Sequence, residues 1–178
     1  MAANNVENGE LIHYHLGPTR NEIDYLNFVR QTVYQLPEMD NIVILADQLN
    51  THMSESLVYW IAENQEYQIE ELGIKGKSGI LQNMETRRAF LERQDHRIRF
   101  IFTPKHCSWL NPIENWFAKL QRHTIKNGNF SSINNLKKKI VNYIEFYNQV
   151  LAKPLKWKFK GFEKAQKLFN LNYQPIKS

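Results

Sequence analysis

Ile42-Val43-Ile44-Leu45-Ala46-Asp47-Gln48-Leu49-Asn50-Thr51-His52 is the stretch from which the fold follows. Five consecutive apolar residues, three of them β-branched, predict a strand buried on both faces, as in a parallel sheet. The run stops at Asp47, and a polar turn carries the chain to Ser54, which caps a helix with Leu57, Val58 and Ile61 on its apolar face. Upstream, Thr19 is the expected cap of a helix in which Ile23, Leu26, Phe28, Val29 and Val33 recur at helical spacing, ending before Pro37. Before it, residues 2–7 and 10–16 read as two extended segments joined by a two-residue turn at Asn8-Gly9. Downstream, Ile98, Phe100 and Phe102 alternate with Arg99 and Ile101 in a strand that stops at Pro104, and helices are expected over about 111–126 and 132–151. Between the two halves, residues 65–97 are irregular and glycine-punctuated, with a helix from about Asn83 to Arg93. They read as an insertion or lid, because their apolar content is too low for a core of their own. The order of elements is an α/β pattern.

The chain has 178 residues, room for a single domain, and 42% apolar with 23% charged side chains excludes a disordered or collagenous class. The Ile42–Ala46 run is far short of the ~20 residues that span a bilayer, and residues 1–7 lack the basic and apolar parts of a secretory signal. Cys107 is the single cysteine, which excludes an internal disulfide and a multi-cysteine zinc site and suits a reducing compartment. A soluble intracellular domain without membrane contact is the expectation. Residues 1–102 hold 9 basic and 15 acidic side chains (−6), whereas residues 103–178 hold 14 and 3 (+11). The basic part interleaves Trp109, Trp116, Tyr143, Tyr147, Trp157 and Phe159, a composition that fits a phosphate-tracking surface or the solvated faces of lysine-rich amphipathic helices.

Two carboxylates stand out. Asp47 closes a buried strand, where in parallel sheets the functional side chains gather; a turn or capping role is the alternative. Glu114 follows Asn111-Pro112-Ile113, so Asn111 as N-cap and Pro112 as first helical residue make it a capping-box glutamate. Ile113, Trp116, Phe117 and Leu120 form the apolar stripe, and Glu114 lies about 100° round from Ile113, at the stripe's margin. A carboxylate from a strand end and one from a helix start, beside a basic surface, suit Mg²⁺-assisted phosphoryl transfer. His13 and His15 share one strand face, but an exposed polar face accounts for them equally.

Asp47–His52, Thr103-Pro104-Lys105-His106 and Ser108-Trp109-Leu110-Asn111-Pro112-Ile113-Glu114-Asn115-Trp116-Phe117 resemble the last two catalytic blocks of mariner-type DDE transposases, and more narrowly their bacterial insertion-sequence branch. Leu16-Gly17-Pro18-Thr19-Arg20, Gly76-Lys77-Ser78-Gly79-Ile80-Leu81 and Ala152-Lys153-Pro154-Leu155-Lys156-Trp157 add to the likeness, which spans about residues 3–161. The resemblance implies a ribonuclease-H-like fold and three carboxylates holding two Mg²⁺ or Mn²⁺ ions for DNA cleavage and strand transfer. Asp47 matches the second acidic position and Glu114 the third. Lys105 and His106 fall where such enzymes approach the DNA backbone, and Lys75, Lys77, Trp109, Asn111, Lys119 and Arg122 are further candidates for DNA contact.

The family's first catalytic aspartate lies on a strand upstream of the opening hairpin, and the 178 residues do not include it. The expectation is therefore a single N-terminally truncated catalytic domain lacking its first strand, with a 65–97 insertion, two C-terminal helices and a 162–178 tail. Its partners would be double-stranded DNA (transposon ends and target), with an upstream transposase fragment or a second copy as the source of the missing strand. It would be cytoplasmic, and nucleoid-associated when bound to DNA. It would be inactive alone; a non-catalytic DNA-binding regulator or a transposase remnant is the alternative.

Overall fold

Two strands separated by more than fifty residues form the spine of the molecule. The computed structural model describes residues 1–126 and 128–155. In chain order the elements are β1 (Ala2–Asn4), β2 (Leu11–Tyr14), α1 (Glu22–Val33), β3 (Ile42–Ala46), α2 (Glu55–Glu63), α3 (Ile69–Leu72), α4 (Met84–Leu91), β4 (Ile98–Phe102), α5 (Ile113–Leu120) and α6 (Ile133–Phe146). β3 and β4 pair in parallel from Ile42↔Ile98 to Ala46↔Phe102, while β1 and β2 form a separate antiparallel hairpin. The α/β expectation holds, with α5 and α6 as the two C-terminal helices. Both run on into π-helical turns, Gln121–Ile125 and Tyr147–Leu151. The expected tail over 162–178, and the aromatics Trp157 and Phe159, lie outside the described residues.

Strand alternation sorts the packing. Ile42, Ala46, Ile98, Phe100 and Phe102 point to one face and join Tyr25, Phe28, Val29 and Val33 of α1 and Leu57, Val58 and Ile61 of α2 in the main core. A second cluster holds Leu11, Trp116, Leu120, Tyr143, Ile144 and Tyr147. Ala3 packs with the first cluster and its neighbour Ala2 with the second. Successive strand residues face opposite ways, so α1 lies on one face of the hairpin and α5–α6 on the other.

Several expectations are corrected in detail. The 65–97 segment is packed onto the domain: Leu72, Leu81, Phe90 and Leu91 are buried in the main core, while Ile69 and Ile74 stay exposed. The cap of α1 is Asn21 and not Thr19. Asn21 Oδ1 accepts the N–H groups of Ile23 and Asp24, the Asp24 carboxylate accepts the Asn21 N–H, and the Thr19 hydroxyl donates to Asp24 at 2.6 Å. These bonds hold the Asp24 carboxyl below its ordinary pKa. The hairpin turn is a longer loop, closed by Asn5 N–H to Glu10 C=O, because Asn5 and Asn8 side chains accept the N–H groups of Glu7 and Glu10 and so turn the chain locally. Gly9 sits at φ +80°, and a Cβ there would fall 2.0 Å from the Lys153 carbonyl oxygen, so only glycine lets the 152–155 segment lie against the hairpin. β3 is not buried on both faces: Ile42 and Ala46 are buried while Val43, on the opposite face, is 49% exposed.

His96 is 4% exposed, and neither ring nitrogen has a hydrogen-bond partner among the described residues. It packs edge-on against Phe90 and Tyr67, and burial lowers its pKa. A lowered folded-state pKa means that the neutral ring is the one the fold accepts. Its contribution is therefore present above the unfolded pKa of ~6.5 and is lost as pH falls below it. Urea denaturation midpoints should drop between about pH 7 and pH 5, before the carboxylates titrate, and His96→Phe should flatten that drop. An unchanged pH dependence in His96→Phe would show that the ring is not the source.

Candidate active site

The in-register β3–β4 pair delivers two loops to the same end of the sheet, and hydrogen bonds lock them together there. Thr103 N–H donates to Ala46 C=O at 2.9 Å, and Gln48 Nε2 donates to Thr103 C=O at 2.7 Å. Asn111 Nδ2 donates to Leu45 C=O at 3.4 Å, while its Oδ1 accepts the Ile113 N–H. Asn111 thus does cap-like work, although the helix begins at Ile113 with Pro112 already in helical conformation.

Asp47 and Glu114 consequently line the same cavity, of about 650 Å³. Asp47 is half-buried. His52 Nδ1 lies 2.6 Å from its Oδ1 and 3.1 Å from its own carbonyl oxygen, because the 3₁₀ turn Asn50–Met53 folds His52 back over the strand end. Tyr25 stacks on the other side of that imidazole, with centroids 4.0 Å apart. The His52 hydrogen bond holds the Asp47 carboxyl below its ordinary pKa against the opposing effect of burial, and Arg20 adds to the lowering. Burial and the Asp47 charge push the Tyr25 hydroxyl up. Glu114 is exposed, and its carboxylate makes no hydrogen bond among the described residues; the Asn111 N–H that a capping box would offer it donates to Ser108 C=O instead.

The remaining sequence-derived candidates fall into three places. Lys105, His106 and Trp109 are exposed on the β4–α5 loop, with His106 at φ +62° and Trp109 69% exposed. Lys119 lies over the Tyr147 ring, and Arg122 lines a second hollow with His123 and Lys139 where the helix becomes π-helical. Lys75 is ion-paired to Glu55 at 2.9 Å, and Lys77 is exposed on the same turn. Periodicity did not single out His52 or Tyr25. The five-residue spacing of His52 from Asp47 is the signal that a short turn closing on the carboxylate leaves in the sequence.

The family description DDE superfamily endonuclease matches residues 1–137, which contain both carboxylates and the whole sheet. The chain belongs to the DDE superfamily endonuclease family. No curated protein and no solved structure matches the chain. Membership agrees with the mixed α/β architecture and a ribonuclease-H-like arrangement, and it makes this a transposase-like nuclease domain with DNA as its substrate class. No helix among the described residues is long and apolar enough to cross a membrane.

In this DDE domain His52 is expected to control the Asp47 carboxyl. The Asp47 pKa, followed by carbon-detected NMR titration, should lie below 3.8 in the native chain. It should rise in His52→Phe, which keeps the stacking on Tyr25 and removes the donor. Because the folded pKa is depressed, the stability this contact provides is present above the unfolded value and is lost as pH falls through the folded one.

Proposed function

We propose that the chain is part of a catalytic domain of a mariner-type DDE transposase of the bacterial insertion-sequence branch, cutting and joining DNA with Mg²⁺ or Mn²⁺. The observation that carries this reading is the convergence of Asp47 and Glu114 on one cavity beside an exposed, basic β4–α5 loop. Both donors are hard oxygens, and two carboxylates with phosphate oxygens and water fit the preference of Mg²⁺. An ion bound there would supply Lewis-acid activation of a phosphodiester and of a water or 3′-hydroxyl.

The chain's own residues prepare that chemistry. His52, backed by Tyr25, holds the Asp47 carboxylate through its Oδ1. The carboxylate of Glu114 is not consumed by capping. Lys105, His106 and Trp109 border the strand ends, with Lys119 and Arg122 farther along the helix, so a duplex can be held by its phosphates on the basic side. Among the described residues no group of three His, Cys, Asp or Glu side chains comes together to hold a metal ion. On this reading the third carboxylate comes from an upstream transposase fragment or a second copy. The alternative is a non-catalytic DNA-binding regulator that occupies DNA without cutting it.

Metal binding tests the pair directly. Mn²⁺ titrated into the protein and followed by water-proton relaxation should bind weakly, and Asp47→Asn and Glu114→Gln should each lower the affinity on the order of tenfold. Equal binding by both variants and the native chain would remove the site.

DNA association should be non-specific and salt-dependent, with Kd of roughly 10⁻⁴ to 10⁻⁶ M at physiological salt, and Lys105→Ala should reduce the salt slope by about 1. The chain alone should neither nick supercoiled plasmid nor transfer strands. Metal-dependent nicking abolished by Asp47→Ala would prove the site complete and this reading wrong.

A further inference from the structure

α5 leads away from the carboxylate pair, and its far end helps to form a second hollow, of about 320 Å³. The helix runs on from Leu120 into the π-helical turn Gln121–Ile125, and Arg122, His123 and Thr124 of that turn line one side. Lys139 and Asn142, three residues apart and so on one face of α6, line the other, with Gly128 from the connection. Each of the five side chains can donate a hydrogen bond, and none is engaged in an ion pair or hydrogen bond among the described residues. Glu145, the one carboxylate among residues 115–155, does not line the hollow. Aromatic rings orient the two central groups: His123 stacks on Tyr143 with centroids 6.1 Å apart, and the Lys139 ammonium lies 5.6 Å from the Phe130 centroid. A ring face steers a cation without neutralising it.

We propose that this hollow seats one phosphate of duplex DNA, as an anchor separate from the metal site. Arg, Lys, Thr and Asn side chains are the groups that take phosphate oxygens and fix a duplex in place without reading its sequence. Cations at a helix C-terminus are expected from the helix dipole alone, and Arg122 and His123 fit that account. Lys139 and Asn142 do not, because they lie in the middle of α6, and their meeting with Arg122 is what makes a concave donor site. Arg122 is eight residues beyond Glu114 on a continuous helix, about 12 Å along its axis at the α-helical rise. That distance corresponds to roughly three to four base pairs of duplex, so the anchored phosphate is a different one from any held at the carboxylates. This inference rests on the DNA substrate class and not on the metal-site reading.

The test uses the full 178-residue chain in EDTA, so failure of the metal site leaves it untouched. A short fluorescein-labelled duplex is titrated by anisotropy over a range of salt. The double variant Arg122→Gln with Lys139→Gln should bind on the order of tenfold more weakly, with a salt slope lower by about 1, because both cations serve a single phosphate. Two cations on a merely solvated face would together lower the slope by about 2, and that result, or unchanged binding, would overturn the proposal. Thr124→Val with Asn142→Leu removes donors and no charge. It should weaken binding severalfold at an unaltered slope, and native affinity in that variant would also count against a built site. The native chain gives a readout that needs no variant: the Asn142 side-chain amide resonance should shift on adding duplex. If inorganic phosphate shifts it and duplex does not, the hollow serves a free phosphate and the DNA assignment fails. A native chain that binds no duplex would overturn this inference together with the reading of DNA association, whereas duplex binding indifferent to both variants overturns this inference alone.

Discussion

Everything at the candidate site depends on the parallel, in-register pairing of β3 with β4. Parallel strands end at the same edge of a sheet, so the residues that follow them are neighbours whatever their separation in sequence. Asp47 follows one strand, and the loop leading to Glu114 follows the other. Had the strands been antiparallel, the two carboxylates would stand at opposite ends. The side chains of Gln48 and Asn111 then tie each loop to the opposite strand's backbone, at 2.7 and 3.4 Å, which turns proximity into a fixed geometry. Backbone carbonyls serve as the anchor points, so the framework is insensitive to which apolar residues fill the strands.

The same pairing explains why the sheet layer is divided. β3 spends one edge on β4, and the hairpin is held elsewhere, by α1 through His13, whose ring bonds Gln31 and Gln35 and stacks on Phe28, and by α5–α6 through Leu11. With both faces of the hairpin engaged, it does not slide across to pair with β3. Helices on two sides hold the hairpin apart from β3, and the cavity lies between them.

Much of this was legible in the sequence where one residue type has one physical consequence. The Ile42–Ala46 run, the alternation over Ile98–Phe102, Ser54 as a cap and the stripe of Trp116 and Leu120 each appear as read. The misreadings share a cause. Thr19 and Asn21 are both competent caps, and only the reciprocal bond from Asp24 selects Asn21. Asn8-Gly9 is a hairpin signal, but two Asx turns and the close approach of Lys153 widen it into a longer loop. A run of β-branched residues reports that a strand is apolar, not that something covers both its sides. The clamp of His52 between Tyr25 and Asp47 joins residues from α1 and from a 3₁₀ turn, and no local pattern encodes such a meeting.

One long-range contact bears on how the chain reaches this state. Asn148 Oδ1 accepts the Leu11 N–H at 2.9 Å and its Nδ2 donates to the Leu11 carbonyl at 3.0 Å, so a single side-chain amide mimics a neighbouring strand across 137 residues. During synthesis the hairpin emerges well before this partner, which follows 137 residues later. Loop closure of that length raises the barrier to folding more than it lowers final stability. The β3–β4 unit with α1 and α2 can assemble as soon as residue 103 is free, while the hairpin waits with Leu11 exposed. The Leu11 edge of the hairpin is thus completed late, and a ribosome stalled before residue 148 would hold a nascent chain in which that edge is still open to other partners.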